Sequence, residues 1–555
     1  MFGLLWFQPG RPDPGVSSAA LAVGGLGLVF LAFWLRRAAP PLLGRIVGER
    51  GLLLVVLLTL AFRLPLAWWG AWGYTTADAA LSGIVALHAR DGIAHHVFVP
   101  SVPYSGSLKS NLTALVSIAT GLELVRAFTL LSVLFYAVFA AAAFRLGALL
   151  GGARVAAVAG LYAAFAPTFV TQYSLSNDGN YVEVLALGSW ALVLGARLLE
   201  REDARFSGWC ATGVLLGLGF WCHILAIAHV AGLALAVALA FRARAWLPYL
   251  GLLVGFAIGY WPGLLWNARN EWTSFLYLVP SGYWASARLL HPVAAEAARP
   301  GMLARVAAVF TDYGPVLFGF DSGYPRVLDL ASRGLAGLGV LAFIAALMAS
   351  LRRVRAAGRV ETNALLLCFT AANLSVALVA LPYIPGNPRY LLFLFAPACA
   401  LIARLFGEGR RRIVLFLLIA FGVLGSLGQA REKIQSSLEW RQFVVDLRRE
   451  GVRHCHSDFY LAARITFYGE ENPLCSSKLG PVTTEYFQDY RGRVDREPRV
   501  DIVAVNQFSA ARIEKKLQEL GVAYERRDLM KPVLLRLSRR VDPAEIFPGR
   551  DFSPR

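Results

Sequence analysis

Charged residues are scarce in this chain: Asp, Glu, Lys and Arg make up 16% of its 555 residues, whereas 57% are hydrophobic. No single soluble core needs so much apolar sequence, so the composition predicts a polytopic membrane protein. The formal net charge is +18, yet most arginines occupy short blocks between apolar runs, as they do in cytoplasmic loops. This placement argues against nucleic acid as a partner.

Several motifs of well-known enzyme and pump classes are also missing. The chain has no P-loop, no GxSxG nucleophile elbow and no correctly placed dinucleotide fingerprint, which disfavours an ATP-driven pump. His88, His95 and His96 lack companion zinc ligands, and no HExxH is present. His454-Cys455-His456 lies on a predicted strand, where alternate side chains point to opposite faces. We therefore predict neither a metal nor a cofactor.

Cysteine is rare, with six residues in the whole chain. Four lie inside apolar segments and are expected to be small buried hydrophobes: Cys210, Cys222, Cys368 and Cys399. Cys455 and Cys475 are in polar sequence. If that region is extracytoplasmic they could form a disulfide, although spacing alone does not establish one.

What the chain has instead is apolar runs close to the ~20 residues that cross a bilayer. About twelve are present, at 16–35, 51–67, 124–143, 154–171, 181–198, 206–220, 224–241, 246–265, 332–350, 362–381, 391–406 and 412–429. The first has no cleavable signal-peptide pattern and is predicted to be an uncleaved span. Two shorter apolar segments, 107–122 and 303–320, are predicted to be helices in the membrane interface.

Arginine placement predicts the orientation of these spans. The basic loops carry Arg36, Arg37, Arg45, Arg50, Arg145, Arg154, Arg201, Arg205, Arg242, Arg244, Arg352, Arg353, Arg355, Arg359 and Arg410–Arg412, and the positive-inside rule makes them cytoplasmic. The intervening loops are then outer ones: 67–111, 172–180, a turn near His223, 267–331 and 382–390. We expect these loops to face the periplasm of a bacterial inner membrane.

Three regions follow from this arrangement. Residues 1–50 form an extra span with a basic cytoplasmic loop, 51–429 form a transmembrane catalytic domain with outer loops 67–123 and 267–331, and 430–555 have soluble composition. In that last region we predict helices at 438–450 and 510–520 and strands at 452–455, 501–505 and 533–537. It is thus a small periplasmic α/β domain.

Two outer loops supply acids that could do chemistry. Asp78 follows the second span by about ten residues and could act as a general base towards an acceptor hydroxyl or amine, or could belong to a helix cap shared with Thr75 or Thr76. Asp178 precedes Gly179, which is also an ordinary turn sequence. Glu183 lies just inside an apolar segment, where an ionised group needs a cavity or a partner.

Cations lie on the same predicted side. Arg389 begins a late span at its outer end, against the positive-inside trend, and its guanidinium suits bidentate phosphate contact, although snorkelling would also place it there. Lys109 and His223 are further candidates for contact with a phosphate. Aromatic residues Trp72, Tyr74, Tyr104 and Tyr283 could shape a sugar pocket or form an interfacial belt.

Together these motifs resemble the GT-C class of polytopic glycosyltransferases, and more closely the bacterial branch related to protein O-mannosyltransferases and lipid A aminoarabinose transferases. The resemblance is carried by Arg63-Leu-Pro65, Asp78, Tyr104-Ser-Gly-Ser-Leu108, Tyr181 with Glu183, Pro388-Arg389-Tyr390-Leu-Leu392, and the tail segment 451–470. In that class the first acid is usually followed by a second, whereas Ala79 follows Asp78 here. This departure weakens any paired-carboxylate or metal site at that position.

The resemblance implies a polyprenyl-phosphate-linked sugar donor whose phosphate lies at the outer surface. We expect inverting transfer to a glycan, lipid or protein acceptor, with Asp78 as general base and Arg389, Lys109 and His223 at the donor phosphate. Further substrate contacts are assigned to Tyr74, Tyr104, Asp178, Tyr181, Glu183 and Tyr390. The alternatives are a non-enzymatic flippase or transporter of lipid-linked sugars, for which no internal repeat is found, and a scaffold that uses the tail to bind partners.

Overall fold

A computed structural model describes residues 48–176, 178–241, 246–278, 301–319, 326–357, 360–380, 388–407, 409–479, 487–529 and 532–546. The predicted span 16–35, nearly all of region 1–50, the parts 279–300 (with Tyr283) and 320–325 of the loop 267–331, and 382–387 lie outside the described residues. So do the basic positions 36, 37, 45, 242, 244 and 359.

Among the described residues, the first half of the membrane region contains ten helices and one β-hairpin. The elements are α1 (Glu49–Tyr74), α2 (Ala77–Arg90), β1 (Phe98–Val99), β2 (Val102–Gly106), α3 (Leu108–Thr120), α4 (Leu124–Ala164), α5 (Thr168–Leu175), α6 (Tyr181–Glu200), α7 (Phe206–Cys222), α8 (Ile227–Phe241), α9 (Trp246–Gly259) and α10 (Trp261–Arg269). Short 3₁₀ turns, Asp178–Asn180 and Ile224–Ala226, precede α6 and α8.

The second half contains α11 (Thr273–Leu276), α12 (Met302–Ala308), α13 (Gly314–Leu317), α14 (Arg326–Ala357), α15 (Thr362–Ala380), α16 (Phe395–Phe406) and α17 (Arg412–Arg449). A 3₁₀ segment, Pro388–Leu394, leads into α16. The predicted interface helix 107–122 is present as α3, whereas 303–320 is broken into short helical pieces around a π-turn at Val309–Tyr313.

The chain is a polytopic helical membrane protein, as predicted. Within the described ranges, eight helices are long and apolar enough to span a bilayer, and a ninth is obtained if α9 and α10, bent by 70°, form one broken span. The predicted runs 124–143 and 154–171 are confirmed as two arms within α4, which counts once among the eight. Its backbone leaves helical geometry at Gly151 and Gly152 and turns back, so that the Tyr136 hydroxyl donates to the Ala163 carbonyl at 2.8 Å. The remaining difference from twelve comes from 16–35, which is not described, and from α7, which is shorter than a full span.

A buried arginine ties α1 to its neighbours. Arg63 donates from Nε to Ser174 Oγ (2.8 Å) and from Nη1 to the Ala164 carbonyl (2.5 Å), and its guanidinium lies 3.9 Å from the centre of the Tyr136 ring. A charge at that depth needs such partners. The Arg63-Leu-Pro sequence is therefore a packing motif of the helix bundle.

The predicted span 412–429 and the predicted helix 438–450 are one continuous helix, α17, of 38 residues. Its second half is polar and projects beyond the apolar region. Because an unbroken helix joins the membrane region to the tail, the tail starts from a rigid stem.

The tail is an α/β domain containing β3 (His454–His456), α18 (Phe459–Tyr468), β4 (Leu474–Ser476), α19 (Gln488–Asp495), β5 (Asp501–Ala504), α20 (Gln507–Glu519), β6 (Tyr524–Asp528), β7 (Val533–Leu537) and α21 (Pro543–Ile546). Its sheet has the order β4-β3-β5-β7-β6, parallel from β4 to β5 and antiparallel beyond. Cys455 and Cys475 are directly opposite on β3 and β4 and form a disulfide, with Cα atoms 4.5 Å apart.

The α/β domain is docked on α1 and α2 by aromatic packing. The Phe467 ring covers Gly83, so closely that a Cβ at that position would lie 2.4 Å from it. The rings of Trp72 and Tyr468 stack at 4.3 Å, and the Tyr468 hydroxyl donates to the Trp72 carbonyl. Because α2 also carries Asp78, the domain is fixed relative to that acid.

A polar cluster completes the docking surface. His88 Nε2 lies 2.6 Å from Glu471 Oε1 and its Nδ1 lies 3.3 Å from His96 Nε2, while Arg493 pairs with the other Glu471 oxygen at 2.8 Å. Burial alone would raise the pKa of the Glu471 carboxyl, but hydrogen bonds from His88, Tyr490 and Arg493 outweigh it and lower that pKa to about 2. Two of the histidines noted in the sequence thus face the domain interface.

We predict that Gly73→Ala separates α1 from α17. A Cβ at Gly73 would lie 1.9 Å from the carbonyl oxygen of Lys433, a backbone atom that cannot rotate away. Such overpacking costs about 1–3 kcal/mol, so the thermal midpoint of the purified protein in detergent should fall. Gly428→Ala on α17 is the matched control because nothing lies within 4 Å of its Cβ. Equal midpoints for the two variants would contradict the close approach.

Acid should release the docked domain through Glu471. A carboxyl whose pKa is lowered on folding stabilises the fold above its unfolded value, and that contribution is lost as the pH falls through the folded value. The loss should therefore run from about pH 4.5 towards pH 2. Limited proteolysis across this range should show the wild-type domain loosening, and Glu471→Gln should remove most of this pH dependence. A variant that loosens over the same range as the wild type would disprove the assignment.

Candidate active site

The site is built around Asp78, the second residue of α2. Thr76 is the N-cap of this helix and accepts the Ala79 N–H at 3.1 Å, so the cap does not use the Asp78 carboxyl. The predicted ten-residue separation from the second span is wrong, because α1 continues to Tyr74 and only two residues separate it from α2. Asp78 is thereby held at the end of the bundle, with its side chain 47% exposed.

Arg389 reaches the same point from the start of the 3₁₀ segment. Its Nη1 lies 3.5 Å from Asp78 Oδ2 and 4.0 Å from Asp178 Oδ1, and its side chain is only 17% exposed. The rings of Tyr181 and Tyr390 lie 5.6 Å and 5.7 Å from the guanidinium carbon. The guanidinium is therefore flanked by two carboxylates and two aromatic faces.

Asp178 brings a second carboxyl towards Asp78 from a different loop, the one before α6. Asp178 Oδ1 lies 4.0 Å from Arg389 Nη1, the guanidinium nitrogen that also faces Asp78. The turn that places it uses Gly179 and Asn180, which both have positive φ, at 62° and 55°. The position after Asp78 is Ala79, so the sequence offers no second acid there. The fold instead brings the Asp178 carboxyl from the loop before α6.

Asn180, which the sequence did not single out, ties three segments together beneath the acids. Its amide nitrogen lies 3.0 Å from Ser105 Oγ, 2.6 Å from the Gly106 carbonyl and 3.2 Å from the Cys222 carbonyl. A Cβ on Gly106 would lie 2.0 Å from the Trp221 carbonyl. The Tyr104-Ser-Gly sequence thus needs glycine because β2 runs directly against the end of α7.

His223 occupies the tight bend between α7 and α8 and lines the same region. Its Nδ1 accepts the Leu225 N–H at 3.1 Å, which leaves the proton on Nε2. Burial, together with the charge of Arg389, lowers the pKa of His223 to about 3. The imidazole is therefore a neutral hydrogen-bond donor near neutral pH and carries no positive charge towards a phosphate.

Tyr104 lies beside His223, and Tyr74 does not. The Tyr104 ring centre is 5.6 Å from that of His223 and 4.7 Å from that of Tyr277. The charges of Asp78 and Arg389 both act on the Tyr104 hydroxyl. Tyr74 is 2% exposed and belongs to an apolar cluster with Leu66, Ala67, Val133, Leu175 and Ala430. The structure thus places Tyr74 in the packing between helices.

Lys109 and Glu183 form a closed ion pair. Lys109 Nζ lies 2.5 Å from Glu183 Oε1 and donates to Ser132 Oγ at 3.0 Å, and both charged side chains are 0% exposed. Burial lowers the pKa of the Lys109 ammonium, and Glu183 opposes that shift. Lys109 and Glu183, predicted to contact phosphate and substrate, contact each other in this structure, and the pair joins α3 to α6.

The membrane fold is shared with a known enzyme structure. The apo oligosaccharyltransferase of Archaeoglobus fulgidus superimposes with a TM-score of 0.52 at 13% identity, covering 82% of this chain and 69% of that one. The chain has the GT-C fold. The oligosaccharyltransferase AglB of Archaeoglobus fulgidus, in complex with an inhibitory peptide and a dolichol-phosphate, aligns at TM-score 0.47 and 12% identity, covering 91% of this chain and 75% of that one. ArnT from Cupriavidus metallidurans aligns at TM-score 0.43 and 15% identity, over 82% and 93%. No protein-family model and no curated protein sequence matches the chain.

We predict that breaking the Lys109–Glu183 pair destabilises the protein more than removing it. Glu183→Leu or Lys109→Met alone leaves a buried charge without its counterion, at a cost of about 3–5 kcal/mol. The double variant Lys109→Met/Glu183→Leu removes both charges and should recover most of that loss. Unfolding free energies measured in mixed micelles test this. Additive losses in the double variant would contradict a coupled buried pair.

Proposed function

We propose that this protein is a membrane glycosyltransferase that moves a sugar from a polyprenyl-phosphate donor to an acceptor at the outer face of the membrane. The observation that carries the proposal is the convergence of Asp78, Asp178 and Arg389 from three distant segments at one end of the bundle. A scaffold would not need such a convergence. A flippase would need charged groups along a path through the membrane.

Asp78 is the general base of the proposed reaction. It is the more exposed carboxyl of the pair, so an acceptor hydroxyl can reach it from solution. As the acceptor oxygen bonds to the anomeric carbon, its proton passes to the Asp78 carboxylate. The bond from the anomeric carbon to the donor phosphate oxygen breaks with its electron pair, and polyprenyl phosphate leaves with inversion at the sugar.

Arg389 binds the donor phosphate in this proposal. Its ion-pair distances of 3.5 Å and 4.0 Å are longer than a charge-assisted hydrogen bond, so a phosphate could replace these contacts with shorter ones. Asp178 holds the guanidinium from the buried side, and the rings of Tyr181 and Tyr390 restrict its motion. His223 would add a neutral donor. Because the leaving phosphate is stabilised by charge, no general acid is required.

The outer side of the membrane is inferred from two features. The acid cluster and the α/β domain share one end of the bundle, since α18 packs on α2. The opposite end contains the Arg145–Glu49 pair and the contact of Arg404 with Asn363, near the loops predicted to be cytoplasmic. The Cys455–Cys475 disulfide of the α/β domain fits an oxidising compartment such as the periplasm.

The test is release of free polyprenyl phosphate from a panel of polyprenyl-phosphate sugars, with purified protein in nanodiscs and a native membrane extract as acceptor. Asp78→Asn should lose about 10²–10⁴-fold in turnover while still binding donor, because the general base is gone. Asp91→Asn, at the exposed end of α2, should match the wild type. Arg389→Lys should mainly weaken donor binding, because lysine keeps the charge and loses the bidentate geometry.

Undiminished turnover in Asp78→Asn would keep the enzyme and remove Asp78 as the base. Donor binding without any turnover in the wild type would favour the flippase alternative.

A further inference from the structure

A pocket of mixed polarity lies between the polar half of α17 and the α/β domain. Its lining includes Glu439 and Trp440 of α17, Asp458, Tyr460 and Arg464 at α18, and Val505 after β5. None of these residues is used in the proposed chemistry. The pocket is open on one side, and Tyr460 at its rim is 53% exposed.

Two polar atoms at the pocket have no protein partner among the described residues. Asp458 Oδ1 caps α18 by accepting the N–H groups of Tyr460 and Leu461 at 2.9 Å and 3.2 Å, whereas Oδ2 accepts no hydrogen bond. Arg464 lies with its guanidinium carbon 5.1 Å from the centre of the Trp440 ring, and its Nε has no acceptor. Buried polar groups without partners are rare and costly, so a ligand that reached both atoms after a small rotation of these side chains would bind favourably.

The chemistry of the lining fits a sugar. The faces of aromatic rings are electron-rich and attract the C–H groups of a pyranose ring, and Tyr460 and Trp440 supply such rings. A hydroxyl both donates and accepts, which matches a pocket whose lining residues carry both an unpaired carboxylate oxygen and an unpaired N–H. Two carboxylates, Glu439 and Asp458, against one guanidinium make the lining net negative, which disfavours a phosphate group.

The pocket belongs to the domain that packs against the helix of Asp78. Tyr460 is close enough to the site for Asp78 and Arg389 to act on its hydroxyl electrostatically. The contact of Phe467 with Gly83 holds α18 against the helix that carries Asp78. A molecule seated in the pocket is therefore held at a fixed position relative to the base.

We propose that this pocket, named here the Arg464 pocket, binds a sugar residue of the acceptor, so that the acceptor is a glycan or a glycan-bearing molecule. This inference rests on the proposed transferase function. An extended peptide is less well matched, because such peptides pair with the edges of sheets. The edge strands of the domain, β4 and β6, contribute no residue to the described lining of the pocket.

Saturation-transfer NMR on full-length protein in nanodiscs tests the pocket directly. The probes are millimolar methyl glycosides of a hexose, an N-acetylhexosamine and a pentose, with a mixed peptide pool for comparison. Wild type should bind at least one glycoside, and Tyr460→Ala and Arg464→Gln should each weaken that binding about tenfold. Phe508→Ala is the matched control, because this aromatic residue of the same domain is 74% exposed and outside the pocket lining.

Glycoside binding that is equal in all variants, or absent from wild type, would overturn the proposal. Binding of peptides alone, lost in the same two variants, would also overturn it and assign the pocket to a polypeptide acceptor. Unchanged donor binding in Tyr460→Ala confirms that an exposed substitution has left the fold intact.

The catalytic assay separates this inference from the function itself. Asp78→Asn should bind glycosides as the wild type does and still lose release of polyprenyl phosphate. Normal Asp78-dependent turnover with no role for the pocket would reject the inference and keep the enzyme. Glycoside binding at the pocket with no turnover from any donor would reject the enzyme and keep the binding site.

Discussion

The structure at the end of the bundle that carries Asp78 depends on one electrostatic constraint: Arg389 is mostly buried and must be neutralised where it lies. Asp78 and Asp178 supply the opposite charge from two other segments, so three parts of the chain have to meet at one point. Asn180 and Gly106 make this meeting possible by letting β2, the turn before α6 and the end of α7 approach one another closely. We propose that a donor phosphate binds Arg389 in place of part of its contact with these two carboxylates.

The α/β domain is also held in a fixed position relative to this site. A rigid stem, α17, and the aromatic contacts of α18 with α1 and α2 fix the domain beside Asp78. These contacts stay buried when side chains at the site rearrange, so the domain keeps its position. In our proposal the membrane helices therefore position the donor, and the domain positions the acceptor.

Much of this arrangement is visible in the sequence, because the cost of placing charges in lipid leaves a strong pattern. Long apolar runs, arginine blocks and polar residues at the ends of runs predicted the helices and placed Asp78, Asp178 and Arg389 at one side. Pairings between distant segments leave no such local signal. The Lys109–Glu183 pair and the role of Asn180 were missed for that reason, since each partner looks like an isolated polar residue.

Short elements of the tail were missed for a different reason. The strand β6 reads Tyr-Glu-Arg-Arg-Asp and is largely exposed, so it lacks the alternation that marks a strand with one buried face. The helix α18 is apolar on most sides because it is covered by both the sheet and α2. It therefore lacks the one-sided apolar pattern that marks a surface helix. By contrast, β7 has buried apolar residues along nearly its whole length, and its predicted bounds of 533–537 match the structure.

The most direct measurement is an experimental structure of the protein in nanodiscs with a non-transferable polyprenyl-phosphate sugar analogue bound. Our account predicts the donor phosphate within hydrogen-bond distance of Arg389 and the anomeric carbon facing the space beside Asp78. A phosphate bound elsewhere, with the Arg389 contacts to Asp78 and Asp178 unchanged, would contradict it.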